Sequence, residues 1–374
     1  MIEKRLFIGL IVGCGLFFCS CHSVYMSAED RLQENYEEVD ASVELETVGE
    51  ISDFSYSDVP IIPYTIENLA KGFTRLDKSK IEHFKMCDQY NQKSLVVPEK
   101  GIDLKINYGD VGFYFYAISR EDAQKYLNVT QPAYHERAFT FVELANRFPK
   151  KNLETLSREE AIEICNRAIS DAKISAVFEN VFALDCETLN QLQEDAKSQY
   201  KEDFYMAPGS EYLRNEDGTG RWNVKKWKKE QEAYYLVYRM QLEGRTLDTT
   251  GYPCKIELFC REDGQIIYAN GNCPELNLVD AKGEEQKIVS VKDAYSIAAN
   301  LLKKKKLDQS QICSVKYSYG YQQITALDGE AENIRTIVTP CWEICYDTDV
   351  QGTRIKDYLY LNAVTGLEAI ADVY

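Results

Sequence analysis

Two stretches of the chain set apolar residues at helical spacing behind a serine. In LSREEAIEICNRAISD (residues 156–171) and VSVKDAYSIAANLLKK (residues 289–304), Ala161 aligns with Ala294, Ile164 with Ile297, Cys165 with Ala298 and Ala168 with Leu301. The apolar positions recur at i, i+3, i+4 and i+7, which gathers them on one helical face suited to packing on a sheet. Ser157 with Glu160, and Ser290 with Asp293, have capping-box spacing, so their side chains can satisfy amide donors left open in a first helical turn.

Strand patterns follow each helix. After the first come AYYLVYRMQLEG (233–244) and CKIELFCREDGQIIYANGNC (254–273). After the second come ICSVKYSYGYQ (312–322), TIVTPCWEICYD (336–347) and DYLYLNAVTGLEAIADV (357–373), the last with a turn at Thr365-Gly366. The order predicts two repeated helix-on-antiparallel-sheet modules, residues 151–285 and 286–374. The first is the longer, and its polar stretch 190–232, with turn signals at Pro208-Gly209 and Asp217-Gly218, reads as an insertion. Ahead of both, residues 40–150 hold strand-like VELETV and VGFYFYAIS and a helical pattern in SREDAQKYL (119–127), a smaller N-terminal α+β region. The fold class expected is α+β.

Asp263-Gly264 predicts a two-residue type I′ hairpin turn, because glycine, and to a lesser degree aspartate, accept positive φ. Opposed residues then have numbers summing to 527. Cys260 faces Ile267, Leu258 faces Ala269 and Ile256 faces Gly271 on an apolar face, while Lys255 with Asn272 and Glu257 with Asn270 occupy the polar one. The next apolar pair is Cys254 with Cys273, at a Cα separation of about 5.5 Å that a disulfide tolerates. Either a bridge or two buried thiols fits that position.

The N-terminus changes the picture from fold to location. Lys4 and Arg5 precede an uncharged apolar run from Leu6 to Phe18, shorter than the roughly 20 residues a membrane-spanning helix needs, and small Ser20 follows. Residues 1–20 read as a signal peptide. Phe18-Cys19-Ser20-Cys21 resembles the bacterial lipobox, which implies that Cys21 carries the lipid, with cleavage before Cys19 as the second choice. Residues 21–39 form an acidic tether: ten acids stand against the lone Arg31 over residues 22–53. The expected address is the extracytoplasmic face of the cell membrane.

The chain's net charge of −17 becomes −18 once the segment's one acid and two bases are removed, which excludes nucleic acid as a bulk electrostatic partner. A 45% hydrophobic content is enough to bury a sizeable core. Nine of the twelve cysteines lie beyond Cys21. They do not read as a metal site: no C-x2-C occurs, His83 and His135 stand far apart, and Cys341 and Cys345 on one strand would lie roughly 13 Å apart.

Catalytic motifs are missing as well. Neither histidine accompanies a G-x-S-x-G elbow, and there is no H-E-x-x-H and no Walker loop. Asn215 to Gly220 and Asp347 to Gly352 imitate the start of a calcium loop, but the twelfth positions are Lys226 and Tyr358 where a bidentate Glu is required, so both read as turns. No enzyme activity and no cofactor are expected.

One segment suggests contact with an anionic membrane or wall polymer: Arg221, Trp222, Lys225, Lys226, Trp227, Lys228 and Lys229 put two tryptophans beside five cations. The plainer reading is an exposed helix start with one tryptophan packed inward. Tyr317, Tyr319 and Tyr321 share a strand face that would line a cleft or form a sheet surface.

The Ser-x-x-Glu-Ala-Ile helix, the strand Pro340-Cys341-Trp342-Glu343-Ile344 and the closing Tyr360-Leu361-Asn362-Ala363-Val364-Thr365-Gly366 resemble the C-terminal parts of YycI/YycH-type regulators and PepSY-like modules. With its lipobox-like start, the whole chain is similar to uncharacterised clostridial lipoproteins grouped as a domain of unknown function. The resemblance implies an extracytoplasmic regulator without catalytic residues, although YycI/YycH proteins are held by a transmembrane helix. Two functions are therefore expected in order: a surface lipoprotein that binds another envelope protein or component, and, as the alternative, a lipoprotein that holds a small ligand between its modules.

Overall fold

The structure is a computed structural model. It describes residues 42–46, 52–74, 76, 86–89, 92–97, 101–107, 112–118, 122–123, 125–127, 149, 151–199, 226–249, 254–271, 273–307, 311–328, 331–350 and 353–369. Its elements begin with β1 (Glu44–Leu45), β2 (Ser52–Ser57), β3 (Ile61–Ile62), α1 (Ile66–Thr74), β4 (Met86–Gln89), β5 (Gln92–Val97), β6 (Ile102–Asn107) and β7 (Gly112–Tyr116). They continue through α2 (Arg158–Asp171), β8 (Ala176–Leu184), α3 (Cys186–Gln199), β9 (Ala233–Leu242), β10 (Arg245–Thr249), β11 (Lys255–Arg261), β12 (Ile266–Gly271), β13 (Glu275–Leu276) and β14 (Lys282–Lys287). The last are α4 (Val291–Lys304), β15 (Gln311–Asp328), β16 (Ala331–Val350) and β17 (Thr353–Asn362).

Strand dominates this mixed α and β fold. An antiparallel layer runs β8-β9-β11-β12-β7-β6-β5-β4. A second is built on the β15–β16 hairpin and β17, with β1 added in parallel to β15, β2 meeting β16 at Tyr56 and Val338, and β14 outside β2. The hairpin β9–β10 joins the two, since β10 pairs with β9 and then in parallel with β15. The N-terminal region does not stand apart as a smaller unit: β4 to β7 extend the first layer through β7 on β12, whereas β1 and β2 belong to the second.

The capped helices form where the serines place them. Ser157 Oγ accepts from the Glu160 amide at 3.2 Å, with Glu160 returning a bond to the Ser157 amide, and Ser290 Oγ accepts from the Asp293 amide at 3.2 Å. Each cap contributes about 1 kcal/mol. Helix α2 lies with α1 on one face of the first layer, over Tyr234, Leu236, Tyr238, Ile256, Leu258, Phe113 and Phe115. The helices touch at Gly72, where a Cβ would stand 2.4 Å from the Ala168 carbonyl oxygen. Helix α4 covers Val315, Tyr317, Trp342, Ile344 and Leu359 of the second layer, and Trp342 Nε1 donates to the Val289 carbonyl at 3.0 Å.

Around β9, β11 and β12 the first layer is buried on its other face too. Phe182, Tyr235, Val237, Phe259, Ile267 and Tyr268 meet Leu189 and Leu192 of α3 together with Tyr126 and Trp227. This explains why β9 reads as an unbroken apolar run rather than an alternating one. Helix α3 starts four residues ahead of the stretch read as a polar insertion and runs into it, its inward Leu189 and Leu192 outnumbered by polar residues. Among the described residues, no helix is long and apolar enough to cross a membrane.

The β11–β12 turn differs from the two-residue form. Gly264, at φ +77°, ends a three-residue loop in which the Gly264 amide donates to the Arg261 carbonyl and the Arg261 amide to the Gln265 carbonyl, both at 2.8 Å. That is a type I turn followed by a left-handed residue. It shifts the pairing by one, so Cys260 opposes Ile266 instead of Ile267. A bulge at Ile267 then restores the register, and Phe259, Leu258, Glu257 and Ile256 oppose Tyr268, Ala269, Asn270 and Gly271. One step further, Cys254 and Cys273 form a disulfide with Cα atoms 5.5 Å apart. It closes a 19-residue separation. Replacing both cysteines by alanine should lower unfolding stability by about 3 kcal/mol in urea titrations, and reductant should then leave the variant's midpoint unchanged.

Candidate functional site

The joint between the two layers is where charge is buried. On β9 the even-numbered side chains Tyr234, Leu236, Tyr238 and Met240 enter the core under α1 and α2, while Tyr235 and Val237 enter the core on the opposite face. Arg239 continues the second set, and its side chain is only 5% exposed. Glu243 and Gly244, both at positive φ, reverse the chain, and β10 carries Asp248 back to the same place. Leu247, Asp248 and Thr249 pair with Tyr319, Gly320 and Tyr321 of β15.

One nitrogen ties the layers together. Arg239 Nη2 lies 2.5 Å from Asp248 Oδ1 and 2.6 Å from Glu343 Oε2 of β16, and Nη1 lies 3.3 Å from Glu179 Oε1, at a bulge of β8. Tyr360 of β17 donates to Glu343 Oε2 at 3.5 Å. Asp248 is fully buried. Burial pushes its carboxyl up to about 7, the Arg239 guanidinium pulling it down and the Glu343 carboxylate pushing it up. Arg239 stays protonated: burial disfavours its charge, but Glu343 and Asp248 more than offset that. Burial lowers the nearby Lys255 ammonium. Among the described residues, Arg239 Nε, Asp248 Oδ2 and Ser318 Oγ are buried without a hydrogen-bond partner.

A second ionic group secures the opposite face of the hairpin. Arg245 Nη1 lies 3.0 Å from Asp53 Oδ2 of β2, and the guanidinium sits 4.2 Å above the Tyr317 ring. The Tyr317 hydroxyl donates to Asp53 at 2.8 Å and that of Tyr319 at 3.2 Å. The row of Tyr317, Tyr319 and Tyr321 thus neither lines a cleft nor forms an open surface. All three rings are buried, and two of their hydroxyls converge on one carboxylate.

The basic segment divides. Trp227 is 1% exposed, its Nε1 donating to Gln193 Oε1 at 3.1 Å and its ring 4.9 Å from Tyr126. Packed this way, it is unavailable as an interfacial ring. Lys226, Lys228 and Lys229 are exposed, with Lys229 paired to Glu154 and Lys228 lying 3.9 Å from Glu230. Arg221, Trp222, Lys225, Cys19, Cys21, His83, His135 and the 215–220 turn lie outside the described residues. Asp347 and Asp349 sit within β16, pairing back onto β17. Cys341 and Cys345 are buried and outside any disulfide, flanking Glu343 two residues away on either side. Burial pushes the Cys341 thiol up to about 12. Among the described residues, no group of three or more His, Cys, Asp or Glu side chains is placed to hold a metal ion.

Sequence reasoning missed Arg239, Asp248 and Glu343. Their signal was a single charge inside an apolar run, arginine in AYYLVYRMQL and glutamate between Trp342 and Ile344. Such a charge is rarely buried without a partner.

No family model matches the chain, and no curated protein matches it. In fold it is similar to an uncharacterized protein from Eubacterium rectale ATCC 33656 known from a crystal structure, at a TM-score of 0.55 and 14% identity, covering 90% of this chain and 92% of that one. This likeness extends to the fold alone.

The two ionic groups should differ in weight. Arg239→Met strands two buried carboxylates and should cost about 3–5 kcal/mol. Asp53→Ala removes an acceptor from a half-open cluster and should cost about 1–2 kcal/mol. Urea denaturation of both variants checks the order.

Proposed function

We propose that this chain is an exported, lipid-anchored protein of the cell envelope that works by binding rather than catalysis, with another envelope protein or polymer as its partner. The observation that carries the reading is the Cys254–Cys273 bridge, a cross-link that forms and persists in oxidising compartments outside the cytoplasm. The signal-like residues 1–20 and the lipobox-like Cys21 point the same way. Residues 151–285 and 286–374 are read as two copies of one helix-on-sheet unit, a reading supported by the matching serine caps of α2 and α4. The similarity to YycI/YycH-type regulators, PepSY-like modules and clostridial lipoproteins fits a regulatory role. Contact with an anionic surface, if made through the basic segment, would fall to its exposed lysines together with Arg221 and Trp222.

A second reading, a small ligand held between the two units, is favoured by one feature. The joint is polar, and Arg239 Nε, Asp248 Oδ2 and Ser318 Oγ there lack a partner among the described residues.

Fractionation of cells carrying the wild type and Cys21→Ala tests the main reading. The wild type should sediment with membranes, take up labelled palmitate and, alkylated without reductant, leave Cys254 and Cys273 unmodified. Cys21→Ala should be released or remain unprocessed. Processing insensitive to globomycin would contradict the lipid anchor, and alkylation of both cysteines would remove the support that the bridge gives to export.

A further inference from the structure

Glu343 and Asp248 reach the same nitrogen of Arg239, at 2.6 and 2.5 Å, from different layers of the fold. Their oxygens are therefore close neighbours in a place that excludes water. Two like charges so placed disfavour each other strongly, as in any carboxylate pair that shares one site.

The groups facing this pair come from every strand packed around it. They are Glu179 on β8, Tyr235 and Arg239 on β9, Lys255 and Glu257 on β11, Lys316 directly across from Glu343 on β15, Cys341 and Cys345 on β16, and Tyr358 and Tyr360 on β17. Lys316 is half-exposed and turns to Glu44 at 3.9 Å, and Lys255, whose ammonium burial disfavours, interacts with Glu257, Glu179 and Asp248. Arg239 is the cation that contacts both Asp248 and Glu343 directly.

We propose that this cluster is a proton-operated latch: a proton held by Asp248 beside Glu343 closes the joint between the two layers, and its loss to solvent loosens it. With the proton in place, Arg239 is matched by Glu343 and Glu179, and Asp248 is a neutral hydrogen-bonding acid. Without it, three carboxylates face one guanidinium, and the added charge is relieved by letting water into the joint. Opening is local, since the backbone pairing of β10 with β15 does not depend on the proton.

The direction with pH follows from the sign of the shift. Asp248 is raised to about 7, above the ordinary aspartate value of about 3.9. A carboxyl raised on folding contributes stability that is complete below its ordinary value and is lost as pH rises through the folded one. The joint is tightest in acid and loosens progressively as pH rises towards neutrality.

Cys341 and Cys345 lie on the Glu343 face of β16 and report that opening. Cys165 and Cys260, buried in the core under α2, serve as internal references. The experiment is pulse alkylation of the folded chain with N-ethylmaleimide between about pH 5 and about pH 8, each thiol quantified by mass spectrometry. Taking Cys341 and Cys345 relative to Cys165 and Cys260 removes the general rise of thiolate with pH. The ratio should climb by up to about tenfold per pH unit below the Asp248 midpoint and level off above it. In Asp248→Asn, which keeps the shape and cannot lose a proton, it should stay constant. Glu343→Gln, which removes the neighbouring negative charge while burial still holds the Asp248 carboxyl up, should move the rise to lower pH and serves if the first variant does not fold. A flat wild-type ratio, a rise that persists in folded Asp248→Asn, or one that does not move in Glu343→Gln, would overturn the latch.

Discussion

Everything at the centre of this molecule turns on one guanidinium placed where two sheet layers meet. Around β9 the first layer is buried on both faces, so this strand has little solvent side to give a charged residue. Arg239 is tolerated because β10 folds back to deliver Asp248 and β16 crosses from the other layer to deliver Glu343. Such a cluster adds little net stability compared with a well-packed apolar core, because desolvating the ions offsets most of their attraction. What it supplies is selectivity. A register slip of β10 on β15 would move Asp248 to the other sheet face and leave Arg239 short of a partner.

The same hairpin explains why the two halves form one body. Its far face is held by Arg245, Asp53, Tyr317 and Tyr319, so β2 from the N-terminal part of the chain is tied to β10 and β15. Chain order and spatial order diverge here: β1 and β2 complete one layer, β4 to β7 the other. A helix-on-sheet unit cut from residues 286–374 would lose the β2 and β10 strands that border β15 and β16, and would expose Tyr319 and Val338 of the shared core.

Local signals were legible in the sequence, and long-range ones were not. The serine caps placed α2 and α4, and the alternation on either side of Asp263-Gly264 placed Cys254 opposite Cys273. The turn itself was misread as a two-residue type I′ turn, because Asp-Gly also suits a three-residue loop with glycine in the left-handed region. A bulge at Ile267 absorbed the extra residue and kept the outer register. Helix α3 was hidden by its polar exterior. The union of β7 with β12 and of β2 with β16 has no local signature, since sheet partnership between distant segments is decided by which apolar faces close one core. The candidate site was visible only as arginine and glutamate in apolar surroundings, a pattern that signals a buried pair without saying which charges pair.

A double-mutant cycle on Arg239 and Glu343 tests the central claim most directly. Unfolding free energies of Arg239→Met, Glu343→Leu and the double variant, measured in urea, should show a coupling of about 2 kcal/mol or more, the double variant being far less damaged than the sum of the singles. Costs that add to within about 0.5 kcal/mol would mean that the two side chains do not hold the layers together, and the account of the joint would be wrong.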